Sequence, residues 1–186
     1  MTLLNRILKP IVTAFCLILV FSVPVFAQSE RLDQLFTELS DVETPDWERV
    51  VSDIWREWSH SGSSAMDLLL ERGRSAMQAG EFEVAIEHLT ALTDHAPEFA
   101  EGWNARATAY FQAGLFGPSI DDIKRTLALN PRHFGALSGL GMIMEQLELP
   151  EKALSAYRQV QAIHPHSRGI EDIILRLEEK VGGTSL

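Results

Sequence analysis

Cysteine is almost missing from this chain: Cys16 is the only one in 186 residues. It sits in an apolar N-terminal stretch, so the rest of the chain can form no internal disulfide and carries no thiol nucleophile. Basic residues are also scarce, with 16 Lys and Arg against 26 Asp and Glu, for a net charge of −10. That deficit argues against nucleic acid, which requires a basic face, and against adsorption to anionic lipid. A basic partner segment remains compatible with it. The one long apolar run, near the N-terminus, is short of the ~20 residues of a membrane span. Six histidines are present, but none falls in an H-E-x-x-H pair.

The hydrophobic share, 46 %, is that of an ordinary globular protein. The N-terminus needs separate treatment. Arg6 and Lys9 form a basic segment without a nearby acid, and Ile11 to Phe21 is apolar except at Thr13. Pro24 follows, with Val25 and Ala27 at the small-residue positions before a cut. This pattern predicts a secretory signal peptide over 1–27, cleaved between Ala27 and Gln28. An uncleaved N-terminal anchor is the alternative. Lipidation at Cys16 is disfavoured by Phe15, where a lipoprotein signal needs a small residue. Cleavage removes Cys16, Arg6 and Lys9 but no acid, which takes the charge to −12. The expected location is therefore exported and periplasmic, with no membrane contact after cleavage.

The body of the chain repeats. Pro97, Pro131 and Pro165 lie 34 residues apart, and so do Ala85, Ser119 and Ala153. Leu69, Trp103 and Leu137 keep the same interval, as do Gly73, Ala107 and Gly141, and Leu89, Ile123 and Tyr157. Each unit reads as two helices. Trp103, Ala107 and Tyr110 form one stripe, and Phe116, Ile120, Ile123 and Leu127 form the next. Gly114 separates them, and Asn130-Pro131 stops the second helix because the residue before proline avoids helical angles. Gly80 and Ala96-Pro97 do the same in the first unit. The third unit has Glu148 in place of the glycine, then Pro150 opening its second helix. The small residues at 73, 107 and 141 predict close helix crossing within each hairpin.

This pattern resembles the tetratricopeptide repeat (TPR) family, whose units read W-x2-L-G-x2-Y, then A-x3-F, then P. The third unit supplies Leu137, Leu140, Gly141, Met144, Ala153, Tyr157 and Pro165. The second supplies Trp103, Arg106, Ala107, Tyr110, Ser119, Ile123 and Pro131, and the first Leu69, Arg72, Gly73, Ala76, Ala85, Leu89 and Pro97. Arg72 and Arg106 depart from the usual leucine. The resemblance implies an all-α, right-handed superhelix of three helix-turn-helix repeats. The units are 66–99, 100–133 and 134–167, with a helical cap at 28–65 and a capping helix and tail at 168–186.

The flanks carry their own stripes. Trp47, Val50, Val51, Ile54, Trp55 and Trp58 predict an amphipathic helix, with Pro45 just inside its start. Its expected role is to cover the open core of the first repeat. Ser59 to Ser64 reads as a polar turn, and a weaker helix spans Leu32 to Leu39. Ile170, Ile173, Ile174 and Leu177 form the inner face of the C-terminal cap, and Gly182-Gly183 predicts a frayed tail.

No catalytic constellation emerges, so the expectation is a non-enzyme without cofactor or metal. His164-Pro165-His166 is a chelating pair only on paper. Gly139-Leu140-Gly141 lies inside a helix without a preceding strand, which suits packing and not a phosphate loop. Asp121-Asp122 reads as a solvated helix face.

The resemblance implies a concave groove lined by the first helix of each unit. By register it takes Leu70, Arg74, Met77 and Gln78, then Asn104, Thr108, Phe111 and Gln112, then Ser138, Met142, Glu145 and Gln146. Such a mixture suits a protein or peptide, because amides bond a backbone and Met or Phe accept an apolar side chain. The family's carboxylate clamp for chaperone tails is absent, with Leu70, Arg74, Ala105, Gly135 and Gly139 at its places. Within WNARATAYFQAGLF, Trp103 is expected in the core, and Arg106 with a packed stem and its charge in water. Asn104 is the strongest binding candidate. The resulting expectation is a peptide-binding adaptor of the bacterial envelope. The alternative is a self-assembling scaffold, a homo-dimer through the Trp-rich helix.

Overall fold

The computed structural model describes residues 23–167 and 169–183, and everything described in them is helix, turn or loop. Among the described residues nine helices follow in order: α1 (Val23–Ser40), α2 (Trp47–Trp58), α3 (Ser64–Gln78), α4 (Phe82–His95), α5 (Ala100–Gln112), α6 (Phe116–Leu129), α7 (Phe134–Gln146), α8 (Pro150–Ile163) and α9 (Ile170–Gly183). Helices α3 to α8 form three antiparallel hairpins that stack in chain order, each against the next. This is the repeat array expected from the 34-residue period. The signal-peptide expectation falls mostly on 1–22, outside the described residues. Helix α1 runs through the expected cut at Ala27-Gln28 and extends the short helix expected at 32–39. No helix among the described residues is long and apolar enough to cross a membrane.

The small positions act as the spacing implies. A Cβ on Gly73 would sit 2.5 Å from Leu89 Cγ, and one on Gly141 would sit 2.6 Å from Tyr157 Cζ. Neither space exists, so glycine is what lets α3 meet α4 and α7 meet α8. In the second hairpin, Ser119 Oγ donates to Ala107 O at 2.7 Å across the same crossing. The turns between helices are left-handed at Gly80 (φ 77°) and Gly114 (φ 76°), and Glu148 is forced to φ 56° at the third. Each turn closes in the same way, with Glu81 N–H donating to Ala76 O and Leu149 N–H to Met144 O.

The N-terminal helices depart from expectation. Helix α2 does not cover the first repeat; it runs along the loops that join the repeats. Trp47 stacks on His166 (5.8 Å, 2°) and touches His164 (5.7 Å), both after α8. Farther on, Trp55 meets His133 and Phe134, and Trp58 stacks on His133 at 4.1 Å. Ser59 then accepts from Arg74 Nη1 in α3. Leu35, Phe36, Leu39, Val50, Ile54 and Trp58 thus join the core of the second and third repeats, while the first repeat keeps a separate cluster around Leu70, Leu89 and Leu92. The reason is space: a Cβ on Gly135 would lie 2.6 Å from Trp55 Cη2, so this glycine seats the indole. Polar ties reinforce the seat, from Arg132 to Asp33 and from His166 to the carbonyl of Asp41. Pro45 precedes the helix, whose N-cap is Asp46.

At the other end, Ile170, Ile174 and Leu177 are buried against α8, and the capping expectation stands. The tail does not begin at Gly182, because α9 continues to Gly183.

Candidate functional site: the inner face of the first helices

Helix α5 touches both α3 and α7, and the three make one continuous face. Its centre is a buried polar knot. Glu101, 3 % exposed, opens α5 and points inward. Its Oε1 accepts from Arg74 Nη2 at 2.5 Å, and its Oε2 accepts from Asn104 Nδ2 at 3.0 Å. The same Oε2 lies 2.9 Å from His133 Nε2, and His133 is fully buried. His133 Nδ1 accepts from Ala136 N–H and caps α7, which assigns the ring hydrogen to Nε2 and makes that nitrogen a donor to Glu101. One carboxylate therefore ties α3, α5 and α7 together, with the Trp58 indole laid over the imidazole.

Beside the knot the face opens. Asn104, Thr108 and Phe111 of α5 face Gly135, Gly139 and Met142 of α7 across an apolar cavity of about 70 Å³ floored by Ala107 and Ile123. A cavity this size is several times what one water needs, so a small aliphatic side chain fits. Met142 is 44 % exposed at its mouth, and Thr108 is exposed. Thr108 Oγ1 donates to Asn104 O within its own helix. Phe111 leans on Phe116 at 5.8 Å. At the side, a hollow of about 390 Å³ carries Glu57, Glu98 and His60 around Phe99.

The predicted groove residues therefore divide. Thr108, Phe111 and Met142 meet around the cavity, and Met77, Gln78, Gln112 and Gln146 lie farther along, partly or fully exposed. Leu70 is 2 % exposed and belongs to the first-repeat core, because α5 packs directly over it. Arg74 and Asn104 are held by Glu101 and are not free to meet a ligand. Ser138 donates to Phe134 O in its own helix. Glu145 accepts from Tyr157 Oη at 3.0 Å and from Arg176 Nη2 at 2.7 Å, which ties it to α8 and α9. Burial, and then Glu145, push the Tyr157 hydroxyl far above its ordinary value.

Three further expectations change. Trp103 is half-exposed instead of core; its Nε1 donates to Pro97 O and the Arg106 guanidinium covers its ring at 4.9 Å. The Arg106 charge is paired within the protein instead of standing free in water. Nε and Nη2 donate to Asp122 at 2.7 and 2.9 Å, while Nη1 donates to Thr93 at 2.8 Å. Asp122 is consequently buried, whereas its neighbour Asp121 is exposed as expected. The bond to Asp122 raises the Arg106 pKa. The His164 and His166 rings lie 6.5 Å apart, with Trp47 against both. Among the described residues, no group of three or more His, Cys, Asp or Glu is placed to hold a metal.

Glu101 and His133 were missed as a pair. The register did contain a signal: Glu101 stands at the same place as Asp67 and Gly135, an inward position where a carboxylate needs partners. That a histidine 32 residues away supplies one is a tertiary fact.

Known proteins share this arrangement. A tetratricopeptide repeat family model matches residues 70–117. A TPR repeat-containing protein of Rhizobium etli is 34 % identical over 155 residues, which cover 83 % of this chain and 76 % of that one. The small glutamine-rich tetratricopeptide repeat-containing protein 2 of Saccharomyces cerevisiae is 28 % identical over 62 % of this chain, a match spanning only 33 % of the yeast protein. Among solved structures, the first TPR of Spaghetti bound to the HSP90 peptide SRMEEVD superposes with a TM-score of 0.61 at 24 % identity, covering 64 % of this chain and 95 % of that one. MamA gives 0.60 at 22 % identity, covering 73 % and 84 %. The Yersinia enterocolitica type III secretion chaperone SycD, in complex with a peptide of the translocator YopD, gives 0.60 at 12 % identity, covering 64 % and 96 %. With the three stacked hairpins and the extended match to the Rhizobium protein, the chain belongs to the tetratricopeptide repeat family.

Proposed function

We propose that this chain is a non-catalytic adaptor that holds a peptide or protein segment against the inner face of α5 and α7. The observation that carries the reading is the apolar cavity between Phe111, Thr108 and Met142, open at an exposed methionine and floored by Ala107 and Ile123. Such a socket takes an aliphatic anchor, and the polar groups around it stay bonded within the protein instead of awaiting substrate. Peptides bound to TPR structures of the same fold, including the HSP90 and YopD peptides, support the class of partner. They do not transfer its sequence, because Leu70, Ala105, Gly135 and Gly139 stand at the clamp positions. The excess of acid over base, 26 residues against 16, is compatible with a basic partner segment.

The proposed place of action is the bacterial envelope, on the strength of the N-terminal leader pattern. Mass spectrometry of the native protein should find Gln28 at the N-terminus, and an intact Met1 would refute export by cleavage. For binding, a photo-crosslinker at Thr108 should capture a partner in the native envelope. Phe111→Ala and Met142→Glu should weaken that capture while leaving helicity unchanged. Folded variants that capture the partner as well as wild type does would remove the groove assignment. Dimerisation through the Trp-rich helix is not favoured, since Trp47, Trp55 and Trp58 are spent on contacts within the same chain.

A further inference from the structure

The outer edge of the first repeat is left open by the way the N-terminal helices dock. Each later repeat shows what such an edge does when covered. Gly102 and Ala109 of α5 are buried against the preceding hairpin, and a Cβ on Gly102 would lie 3.2 Å from Leu92. Arg106 reaches back to Thr93 in that same hairpin. The equivalent residues of α3, one period earlier, are Leu68, Ser75 and Arg72. All three are exposed, Leu68 at 44 %. With Val84 of α4, 40 % exposed, they border a trough of about 580 Å³ whose lining lies wholly within 68–88. No part of α1 or α2 lines it.

The charges on this edge have no partners within the chain's described residues. Arg106 owns an acid in its own hairpin, Asp122, but the equivalent of Asp122 beside Arg72 is His88. Arg72 has no ion-pair partner among the described residues, and Glu71 and Glu81 on the same trough have none either. About a two-fold axis, the cation of each copy can pair with a carboxylate of the other, which leaves one carboxylate per copy at the solvated rim, while the two exposed aliphatic side chains meet their counterparts. At the opposite end α9 covers the last repeat, so head-to-tail growth into filaments is blocked and a closed pair is the natural product.

We infer that the first-repeat edge is an isologous docking face for a second copy of this chain, with Leu68 and Val84 at its centre and Arg72 paired to Glu71 or Glu81 of the other copy. The surface is distinct from the peptide groove, so the adaptor becomes bivalent, which raises avidity for repeated ligands. The test is sedimentation equilibrium of the full chain over a concentration series. A reversible dimer is expected. Leu68→Glu and Arg72→Glu, each present twice at the axis, should raise its dissociation constant about tenfold or more. Circular dichroism keeps the reading independent of folding; Arg72 is exposed, so that variant stays folded if Leu68→Glu does not. A wild-type chain that is monomeric at every concentration overturns the inference. So does a dimer whose dissociation constant is unmoved by Arg72→Glu in the folded protein.

Discussion

The Glu101 carboxylate and the His133 imidazole meet at 2.9 Å in the interior, joining the start of α5 to the N-cap of α7. Arg74 of α3 completes the link on the other carboxylate oxygen. The inner face thereby acquires a rigid polar centre beside its apolar cavity. Removing the acid strips a hydrogen-bond acceptor from three buried or half-buried donors. Glu101→Ala should lower stability by about 3 kcal/mol or more, as when one partner of a buried pair is lost. Glu101→Gln, which keeps one carbonyl acceptor, should cost less. Urea titration of both variants checks the order, and equal losses would show that charge and acceptor geometry do not matter here.

The Arg106–Asp122 pair offers an internal control. The third repeat carries Leu140 and Ala156 at the same two places. Arg106→Leu alone should cost about 3 kcal/mol, because Asp122 is left buried without a partner. Arg106→Leu combined with Asp122→Ala should recover most of that loss, since a matched apolar pair avoids the desolvation penalty. Denaturation of the two singles and the double measures the coupling.

Glu148 occupies a left-handed turn that the other two repeats give to Gly80 and Gly114. Glu148→Gly should stabilise the protein by about 1 kcal/mol, the usual relief at such angles. Thermal melting reads this as a rise of a few degrees for a domain of this size. No change would mean that the entropy of the added glycine cancels the strain.

His164 is buried between Trp47 and Phe134, with Nδ1 lacking a partner in the protein. Burial first, and then the charge of His166, push its pKa down from 6.5 to about 4. The sign follows directly. Above 6.5 the ring is neutral in both states and stability is full. As pH falls from 6.5 toward 4, the unfolded chain takes up a proton that the folded chain refuses, so stability declines. Near 4 the folded chain protonates too and the decline ends, with an expected loss on the order of 3 kcal/mol. His164→Phe should flatten the dependence of the urea midpoint on pH across that interval. An unchanged slope would assign the acid sensitivity to other groups.

The repeats, and the shared inner face of their first helices, were legible in the chain because they rest on period and size. A 34-residue interval between Gly73, Ala107 and Gly141 implies crossings that admit nothing larger than a methyl group, and at Leu89 and Tyr157 the structure leaves no room even for that. Hydrophobic stripes located α2 and α9 for the same reason. Asn104 was misjudged because register says which way a side chain points but not what already occupies it; Glu101 does. Trp103 and Arg106 were misjudged because a helix stripe cannot say how deep it lies or whether a neighbouring helix brings an acid.

Spacing alone determined that this protein is a three-repeat helical array with amphipathic flanks, since helix periodicity and steric fit at small residues are local and recur along the chain. Only the tertiary structure decided where the N-terminal flank goes. The stripe of Trp47, Trp55 and Trp58 specifies a face that must be buried, without specifying against what. The seat above Gly135 and the rings of His133, Phe134, His164 and His166 settle it, because they are brought together only when the repeats have stacked. That same placement leaves Leu68 and Val84 uncovered on the first repeat.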